Sequence, residues 1–226
     1  HVLGIADITL VTLFYAVDSL VLDAKSFDIN AISTNNRPLN YFYDGNLITI
    51  HLGKQYSRKD TLSLRIDYTA KPSANTTSGS AAITDDNGLY FIDPRNTDPS
   101  MPIQLWSQGE TENNSRWFPT VDKPNERMTH DITLTVPDSM LTLSNGLMAS
   151  SVKNNDGTRT DTWVMDQPHA PYLVMIAAGV FAKVSETWKG MNVDYYVEPR
   201  YAPYAKEIFN HTPEMLSFFS EKLGLK

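Results

Sequence analysis

Cysteine is absent from this chain of 226 residues. Without thiols the chain can form neither a disulfide bridge nor a thiolate metal site, so a fold held together by either of them is excluded. The compartment stays open, because exported bacterial proteins also fold without disulfides. Residues 8–15 already have a strand-like pattern, so any signal region is expected to precede the first residue. The sequence does not assign a compartment, and it weakly favours an exported, periplasmic protein.

Long hydrophobic runs are also missing. The longest nearly apolar stretch, residues 170–182, is shorter than the ~20 residues that a helix needs to span a bilayer. Pro171 and Gly179 lie within it. No membrane span is therefore predicted in this segment, and the stretch is interpreted as one or two buried strands.

Positive charge is in the minority. The chain has 19 Lys and Arg against 26 Asp and Glu, which gives a net charge of -7 and a pI near 5.2. Binding to nucleic-acid phosphates requires a basic surface, and Lys and Arg form no cluster here. No nucleic-acid partner is therefore predicted.

The usual motifs for metal or nucleophilic catalysis are missing too. No histidine is followed by glutamate, no two histidines lie four residues apart, and the nucleophile motif G-x-S-x-G does not occur. The sequence therefore predicts neither a catalytic residue nor a metal ligand in this chain. Its five histidines are His1, His51, His130, His169 and His211.

Strand-like alternation dominates the first 200 residues. Residues 62–68 and 131–137 alternate strictly between apolar and polar side chains, as in a strand with one buried face. The clearest hairpin signal is the Asn-Asn-Asp-Gly sequence at residues 154–157, where Gly157 can supply a positive φ. Short strands separated by turn signals are typical of antiparallel sheets. We predict an all-β fold, an antiparallel β-sandwich.

The spacing of apolar residues changes near the C-terminus, from the alternation of strands to the pattern of helices. Residues 204–210 have a helical pattern, and Thr212 and Pro213 have the character of an N-cap and a first-turn proline of a second helix. Gly224 would end that helix. The sequence thus predicts a short helical segment after the strands.

This change of period also marks a domain boundary. We predict an all-β domain over residues 1–200 and the helical start of a further domain over residues 201–226. The second helix has an apolar stripe that must pack on something, either on the β domain or on a domain that follows. The stripe consists of Met215, Leu216, Phe218, Phe219 and Leu223.

Residues 106–137 carry most of the functional information. Gln108 and Glu110 lie two residues apart, and in an extended segment this spacing directs both side chains to the same side of the backbone. Gly109 between them permits a tight or unusual conformation. From the residues alone, both polar side chains could equally be solvated surface groups. A turn-rich region follows, and its prominent residues are Arg116, Trp117, Pro119, Asp122 and Pro124.

This segment resembles one in the zinc aminopeptidases of the aminopeptidase N and leukotriene A hydrolase group. That family has T/S-Q-x-E/Q, then an arginine-containing stretch, then W/F-x-P-x-x-D-x-P and an alternating strand. Here residues 107–110 are S-Q-G-E and residues 117–124 are W-F-P-T-V-D-K-P. The resemblance covers nearly the whole chain, because further segments match family landmarks in order: residues 143–146, 171–181 and 196–199.

The resemblance implies a saddle-like N-terminal β domain that covers the active-site cleft of an aminopeptidase. Glu110 would bind the free α-amino group of a peptide substrate, and Gln108 would contact the first residue of that substrate. Arg116 and Asp122 would fix the loop geometry through polar contacts. Trp117 would fill the core.

The family's catalytic chemistry depends on a helical H-E-x-x-H that binds zinc and on a G-x-M-E-N loop, and neither string occurs here. The resemblance therefore implies a piece of a longer enzyme, with zinc and the catalytic domain in cis supplied downstream of Lys226. This piece alone is expected to hold no cofactor and to be inactive. The chain also departs from the family at Thr120, where Cys is common, and at Lys123, where Glu or His is common.

A second interpretation stays open. The chain could be a non-catalytic β-sandwich module that recognises carbohydrate or protein through exposed aromatic side chains. Its candidate contact residues are Tyr195, Tyr196 and Tyr201.

Overall fold

The computed structural model describes residues 1–73 and 87–224, and antiparallel strands dominate it. The first part of the chain forms β1 (Val2–Val11), β2 (Val17–Asp23), β3 (Phe27–Thr34), β4 (Arg37–Pro38), β5 (Tyr41–Tyr43), β6 (Leu47–Tyr56) and β7 (Thr61–Ala70). These strands make one sheet in the order β1-β7-β3-β4 and a second in the order β2-β6-β5.

One hydrophobic core joins these two sheets. Along β7 the side chains alternate between buried and exposed, and Leu62, Leu64 and Ile66 are at most 3% exposed. Ile48 and Ile50 of β6 belong to the same buried cluster. Two sheets that share one core form a sandwich, so the predicted alternation over residues 62–68 and the all-β fold class are confirmed.

The second part of the chain, as far as the structure describes it, forms three further sheets. Its strands are β8 (Leu89–Ile92), β9 (Gln104–Ser107), β10 (Met128–Pro137), β11 (Leu141–Ser144), β12 (Leu147–Lys153), β13 (Thr158–His169), β14 (Ile176–Gly179), β15 (Ala182–Trp188) and β16 (Met191–Val197). The sheet orders are β11-β14-β9-β8, β10-β13-β12 and β15-β16.

The hairpin predicted at residues 154–157 is confirmed between β12 and β13. The Asn154 N–H donates to the Thr158 carbonyl at 2.8 Å, and Gly157 has φ +82°. Because a side chain is rarely tolerated at that φ, glycine is the residue that closes this turn most easily.

The apolar stretch at residues 170–182 differs from its prediction. Pro171–Leu173 form a 3₁₀ helix, and only then does the short strand β14 begin. Pro171 has no N–H to give to a sheet, so the chain turns there, and the Val174 N–H donates to the Pro171 carbonyl at 3.0 Å. The prediction of buried strands is therefore wrong for residues 171–173.

Two histidine rings meet where β10 pairs with β13. The rings of His130 and His169 lie edge to face with centroids 5.0 Å apart, beside an irregularity in the strand register. Burial and, to a lesser extent, the neighbouring His169 ring lower the pKa of His130 to about 4. His130 is therefore neutral near pH 7.

Helical structure closes the described chain, in a 3₁₀ helix (Pro199–Tyr204), α1 (Ala205–Ile208) and α2 (Thr212–Leu223). The helix predicted over residues 204–210 is thus shorter and follows a tighter turn. His211, and not Thr212, occupies the N-cap position of α2, whereas Gly224 ends the helix as predicted with φ +68°. No helix in the described part of the chain combines the length and apolar character that crossing a membrane requires.

The apolar stripe of α2 is largely uncovered by the described residues. Met215, Phe218, Phe219 and Leu223 are each more than half exposed. A polar contact ties α2 to the β15–β16 hairpin, because the Trp188 indole N–H donates to the Ser217 hydroxyl at 2.7 Å.

We expect Trp188→Phe to loosen α2. The change removes a hydrogen bond worth ~1 kcal/mol while it keeps an aromatic ring. Amides in α2 should then exchange with deuterium roughly fivefold faster. Trp106→Phe, in β9, is the matched control and should leave the exchange of α2 unchanged. Equal exchange in both variants would show that other contacts hold the helix.

Candidate functional site

The loop between β9 and β10, residues 108–127, begins at a fixed point. The Ser107 hydroxyl accepts a hydrogen bond from the Ile176 N–H at 2.9 Å, and the Gln108 N–H donates to the Gly88 carbonyl at 2.8 Å. The backbone that carries Gln108 is therefore held by two neighbouring segments. The Gln108 side chain is half-buried.

Extended backbone does not continue as far as Glu110. The Asn113 N–H donates to the Gly109 carbonyl at 2.9 Å, and the Asn113 amide donates to the Glu110 carbonyl at 3.0 Å, which closes a turn over residues 110–113. The Glu110–Thr111 peptide is cis. The geometry expected for an extended segment is therefore wrong here, because these local bonds turn the chain directly after Gly109.

Gly109 is required by close packing. A Cβ at this position would lie 2.5 Å from the Tyr172 carbonyl oxygen and 2.4 Å from the Asn114 amide nitrogen. Its φ lies outside the left-handed region, so the reason for glycine is space and not an unusual φ.

The carboxylates of Glu110 and Glu112 differ in their surroundings. Glu110 is exposed, and among residues 1–73 and 87–224 its carboxylate has no hydrogen-bond or ion-pair partner. Glu112 forms an ion pair with the Lys123 ammonium at 2.6 Å. Of these two neighbouring acids, only Glu110 is ready to accept a new cationic partner.

Asn114 is the residue that fixes the loop, and the sequence did not reveal it. Its side chain is completely buried and makes three hydrogen bonds. The amide donates to the carbonyls of Pro171 and Val174 at 2.6 and 2.8 Å, and its oxygen accepts from the Trp117 indole at 2.8 Å. An asparagine within a run of polar residues carries no sequence signal that separates a clamp from a solvated side chain.

Asp122 forms a second anchor. The Asp122 carboxylate accepts from the Ser115 N–H at 2.9 Å, and the Asp122 N–H donates to the Asp23 carboxylate at 3.0 Å. Asp23 and Thr120 also exchange two backbone bonds, at 2.8 and 3.1 Å. Burial raises the pKa of Asp122, and the Ser115 N–H opposes that shift. The loop is thereby attached to strand β2 of the first sandwich.

The remaining loop residues lie at different depths. Arg116, Trp117 and Pro119 are buried, whereas Pro124 is exposed. Trp117 belongs to the core cluster of the second half, and its carbonyl accepts a hydrogen bond from the Tyr68 hydroxyl at 3.1 Å. The loop therefore lies between the two hydrophobic cores.

The aromatic residues of the second interpretation are not all available. Tyr195 is buried and stacks on Phe209 with ring centroids 4.7 Å apart, Tyr196 is half-buried, and Tyr201 is exposed. The expectation of an exposed Tyr195 is therefore wrong, because the helical segment covers it.

A cluster of three or more histidine or acidic side chains, as a catalytic zinc requires, is not found in the described part of the chain. Within residues 1–73 and 87–224, no three side chains of His, Cys, Asp or Glu are grouped so that they could hold an ion. These residues therefore do not fit a catalytic zinc.

Residues 1–173 match the Peptidase M1 N-terminal domain family. The chain belongs to this family. The resemblance inferred from residues 107–124 is thus confirmed. Members of the family include zinc metallopeptidases and aminopeptidases.

Curated relatives of this M1 N-terminal domain include an aminopeptidase and a transcription factor subunit. Glutamyl aminopeptidase of Rattus norvegicus is 29% identical over 111 residues, which are 48% of this chain and 12% of the relative. Transcription initiation factor TFIID subunit 2 of Gallus gallus is 27% identical over 140 residues, which are 60% of this chain and 12% of the relative. The chain thus spans a small part of either protein.

Solved structures share the fold. Aminopeptidase A of Legionella pneumophila, in complex with aspartic acid, aligns with a TM-score of 0.81 at 17% identity over 98% of this chain and 25% of that one. The M1 zinc metallopeptidase of Deinococcus radiodurans aligns with a TM-score of 0.66 at 18% identity over 86% of this chain and 42% of that one.

Proposed function

We propose that this M1 N-terminal domain is part of a zinc aminopeptidase and binds the N-terminus of the peptide substrate. Glu110 accepts hydrogen bonds from the substrate's α-ammonium group, and Gln108 contacts its first residue. The domain covers one wall of an active-site cleft whose other walls belong to a catalytic domain in cis.

The observation that carries this proposal is the unengaged carboxylate of Glu110. A charge-assisted hydrogen bond to an ammonium group is roughly twice as strong as a neutral one. Glu112, two residues away, is already neutralised by Lys123 at 2.6 Å. A substrate amine would therefore find one available acid at this turn.

The anchoring of the loop supports the same role. A binding group is most effective when its backbone is ordered before the ligand arrives, because less conformational entropy is lost on binding. Buried bonds from Asn114 and Asp122 hold the backbone on the C-terminal side of Glu110, and the Gly88 carbonyl holds Gln108 on the other side.

The hydrolytic step is assigned to the catalytic domain. The described residues do not fit zinc. We propose that residues 201–226 are the start of that domain and that the exposed stripe of α2 packs on the rest of it. The contribution of this chain is to bind and orient the substrate, and alone it is expected to be inactive.

The test compares variants of Glu110 and Glu112 in the parent enzyme, the full-length protein of which this chain is proposed to be the N-terminal part. We expect Glu110→Gln to lower kcat/KM for aminoacyl substrates about 30-fold, because a hydrogen bond to a charged group contributes ~2 kcal/mol. Glu112→Gln is the matched control and should change kcat/KM less than about twofold, because the Glu112 carboxylate is already paired with Lys123.

Substrates with a blocked amino group provide a second comparison. N-acetylated substrates lack the ammonium group, so whatever low rate the parent shows on them should be equal in the Glu110→Gln variant. Equal losses for free and blocked substrates would contradict amine recognition, as would full activity of the variant on free substrates.

A second candidate function rests on the TFIID relative, which is named as a transcription factor subunit and not as a peptidase. The parent would then be a non-catalytic interaction module with an M1 fold, and Tyr201 remains an exposed contact residue. Zinc analysis of the purified parent separates the two functions, since an aminopeptidase requires stoichiometric metal and loses activity to a chelator.

A further inference from the structure

The inner face of the β10–β13 pair carries two histidines and two methionines side by side. Met128 is the register partner of His169, and His130 is the register partner of Met165. Register partners of antiparallel strands lie on one face of the sheet, and here the register shifts between Met128 and His130. Each imidazole therefore has a thioether as its cross-strand neighbour.

The ring nitrogens of the two histidines are mostly without partners. Within the described residues, both nitrogens of His130 and the Nε2 of His169 are buried and make no hydrogen bond. A buried polar atom left unpaired in this way costs about 1–3 kcal/mol. These three nitrogen atoms lack the partner that buried polar groups normally have.

The fourth nitrogen, Nδ1 of His169, makes a hydrogen bond of the kind that metal-ligating histidines make. The Nδ1 of His169 lies 3.0 Å from the Gln167 carbonyl oxygen, which can only accept, so Nδ1 carries the proton. In that tautomer the lone pair lies on Nε2. Metal-ligating histidines usually hold their second nitrogen in this manner, by donating it to a backbone carbonyl.

We propose that His130 and His169 bind a monovalent copper ion, with the thioethers of Met128 and Met165 as the neighbouring soft donors. Imidazole and thioether together favour Cu(I) over harder cations. Two imidazoles that bind one ion at about 2.0–2.1 Å have ring centroids no more than roughly 6 Å apart. The observed centroid separation is 5.0 Å.

The site lies near the protein surface, because His130 and both methionines are only half-buried although the ring nitrogens are covered. The donors lie on the β10–β13 pair, outside the loop that carries Gln108 and Glu110. The copper site and the proposed amine-binding site can therefore be tested separately.

The test is an anaerobic titration of this 226-residue chain with Cu(I) against a colorimetric copper chelator, followed by X-ray absorption spectroscopy of the loaded protein. We expect one ion per chain, with nitrogen and sulfur in its coordination shell. His130→Phe and His169→Phe should each lower the affinity at least 100-fold. The double variant Met128→Leu with Met165→Leu should lower it at least tenfold and remove the sulfur signal.

The controls exclude chance binding. His1→Ala tests for copper held at the chain's first residue, and His211→Ala and Met148→Leu test exposed side chains of the same types; none should change the affinity. Far-ultraviolet circular dichroism confirms that each variant is folded, and phenylalanine fills the space of the ring it replaces. Absence of Cu(I) binding, equal binding by His169→Phe, or Zn(II) binding that is as tight and independent of both methionines would overturn the proposal.

Discussion

Replacement of Asn114 by alanine is expected to lower the free energy of unfolding of this chain by about 4 kcal/mol, since it leaves three buried polar groups unpaired at once. The groups are the carbonyls of Pro171 and Val174 and the indole N–H of Trp117. All three groups belong to residues that are themselves buried. Urea unfolding of the two proteins, compared by their midpoints at constant slope, measures the effect.

Asn113→Ala is the matched control for this prediction. Asn113 is the same residue type one position earlier, but it is only half-buried, and its side chain makes one bond, to the Glu110 carbonyl at 3.0 Å. We expect it to lower the stability by less than about 1 kcal/mol. Similar losses in both variants would mean that the buried network around Asn114 does not stabilise the fold as described.

Gly109→Ala is expected to lower the free energy of unfolding by about 3 kcal/mol, at the upper end of the usual range for overpacking. The new methyl group would lie 2.5 Å from the Tyr172 carbonyl oxygen, which is backbone, and 2.4 Å from the Asn114 amide. The backbone cannot move away without breaking the bonds of Asn114 to Pro171 and Val174. Urea unfolding of the chain gives the stability, and kcat/KM of the parent reports on the proposed binding site.

Gly179→Ala provides the comparison, because Gly179 also lacks a positive φ. The nearest atom to its new methyl group is a ring carbon of Phe181 at 2.9 Å, which is a side chain and can shift. We expect a loss of about 1 kcal/mol and no change in kcat/KM. If Gly109→Ala proved as mild as this control, the close packing of the loop would be less rigid than its contacts indicate.

Local patterns predicted the fold well where burial alternates along one strand. The alternation at residues 62–68 gave a buried face, and the Asn-Asn-Asp-Gly turn gave a hairpin, because both depend on neighbours in the chain. The prediction was wrong for the apolar residues 171–173, because the same residues can be buried in a strand or in a short 3₁₀ turn.

The candidate site was predictable only through its motif. Glu110 and Gln108 stood out because they match a family pattern, whereas nothing nearby in the sequence marks Asn114 or Asp23 as anchors. The carbonyls that Asn114 binds and the loop residue that Asp23 binds lie far away along the chain, so these roles appear only when the sheets are assembled. The pairing of Glu112 with Lys123 likewise depends on the path of the turn.

The anchors of the β9–β10 loop also set the order of events during biosynthesis. Asp122 is tied to Asp23 across 99 residues, and Asn114 is tied to Val174 across 60 residues. Contacts between such distant positions form late, because the entropy of closing long loops must be overcome before they contribute. A growing chain therefore cannot complete the contacts of Asn114 until residue 174 has left the ribosome, after the loop itself has been made.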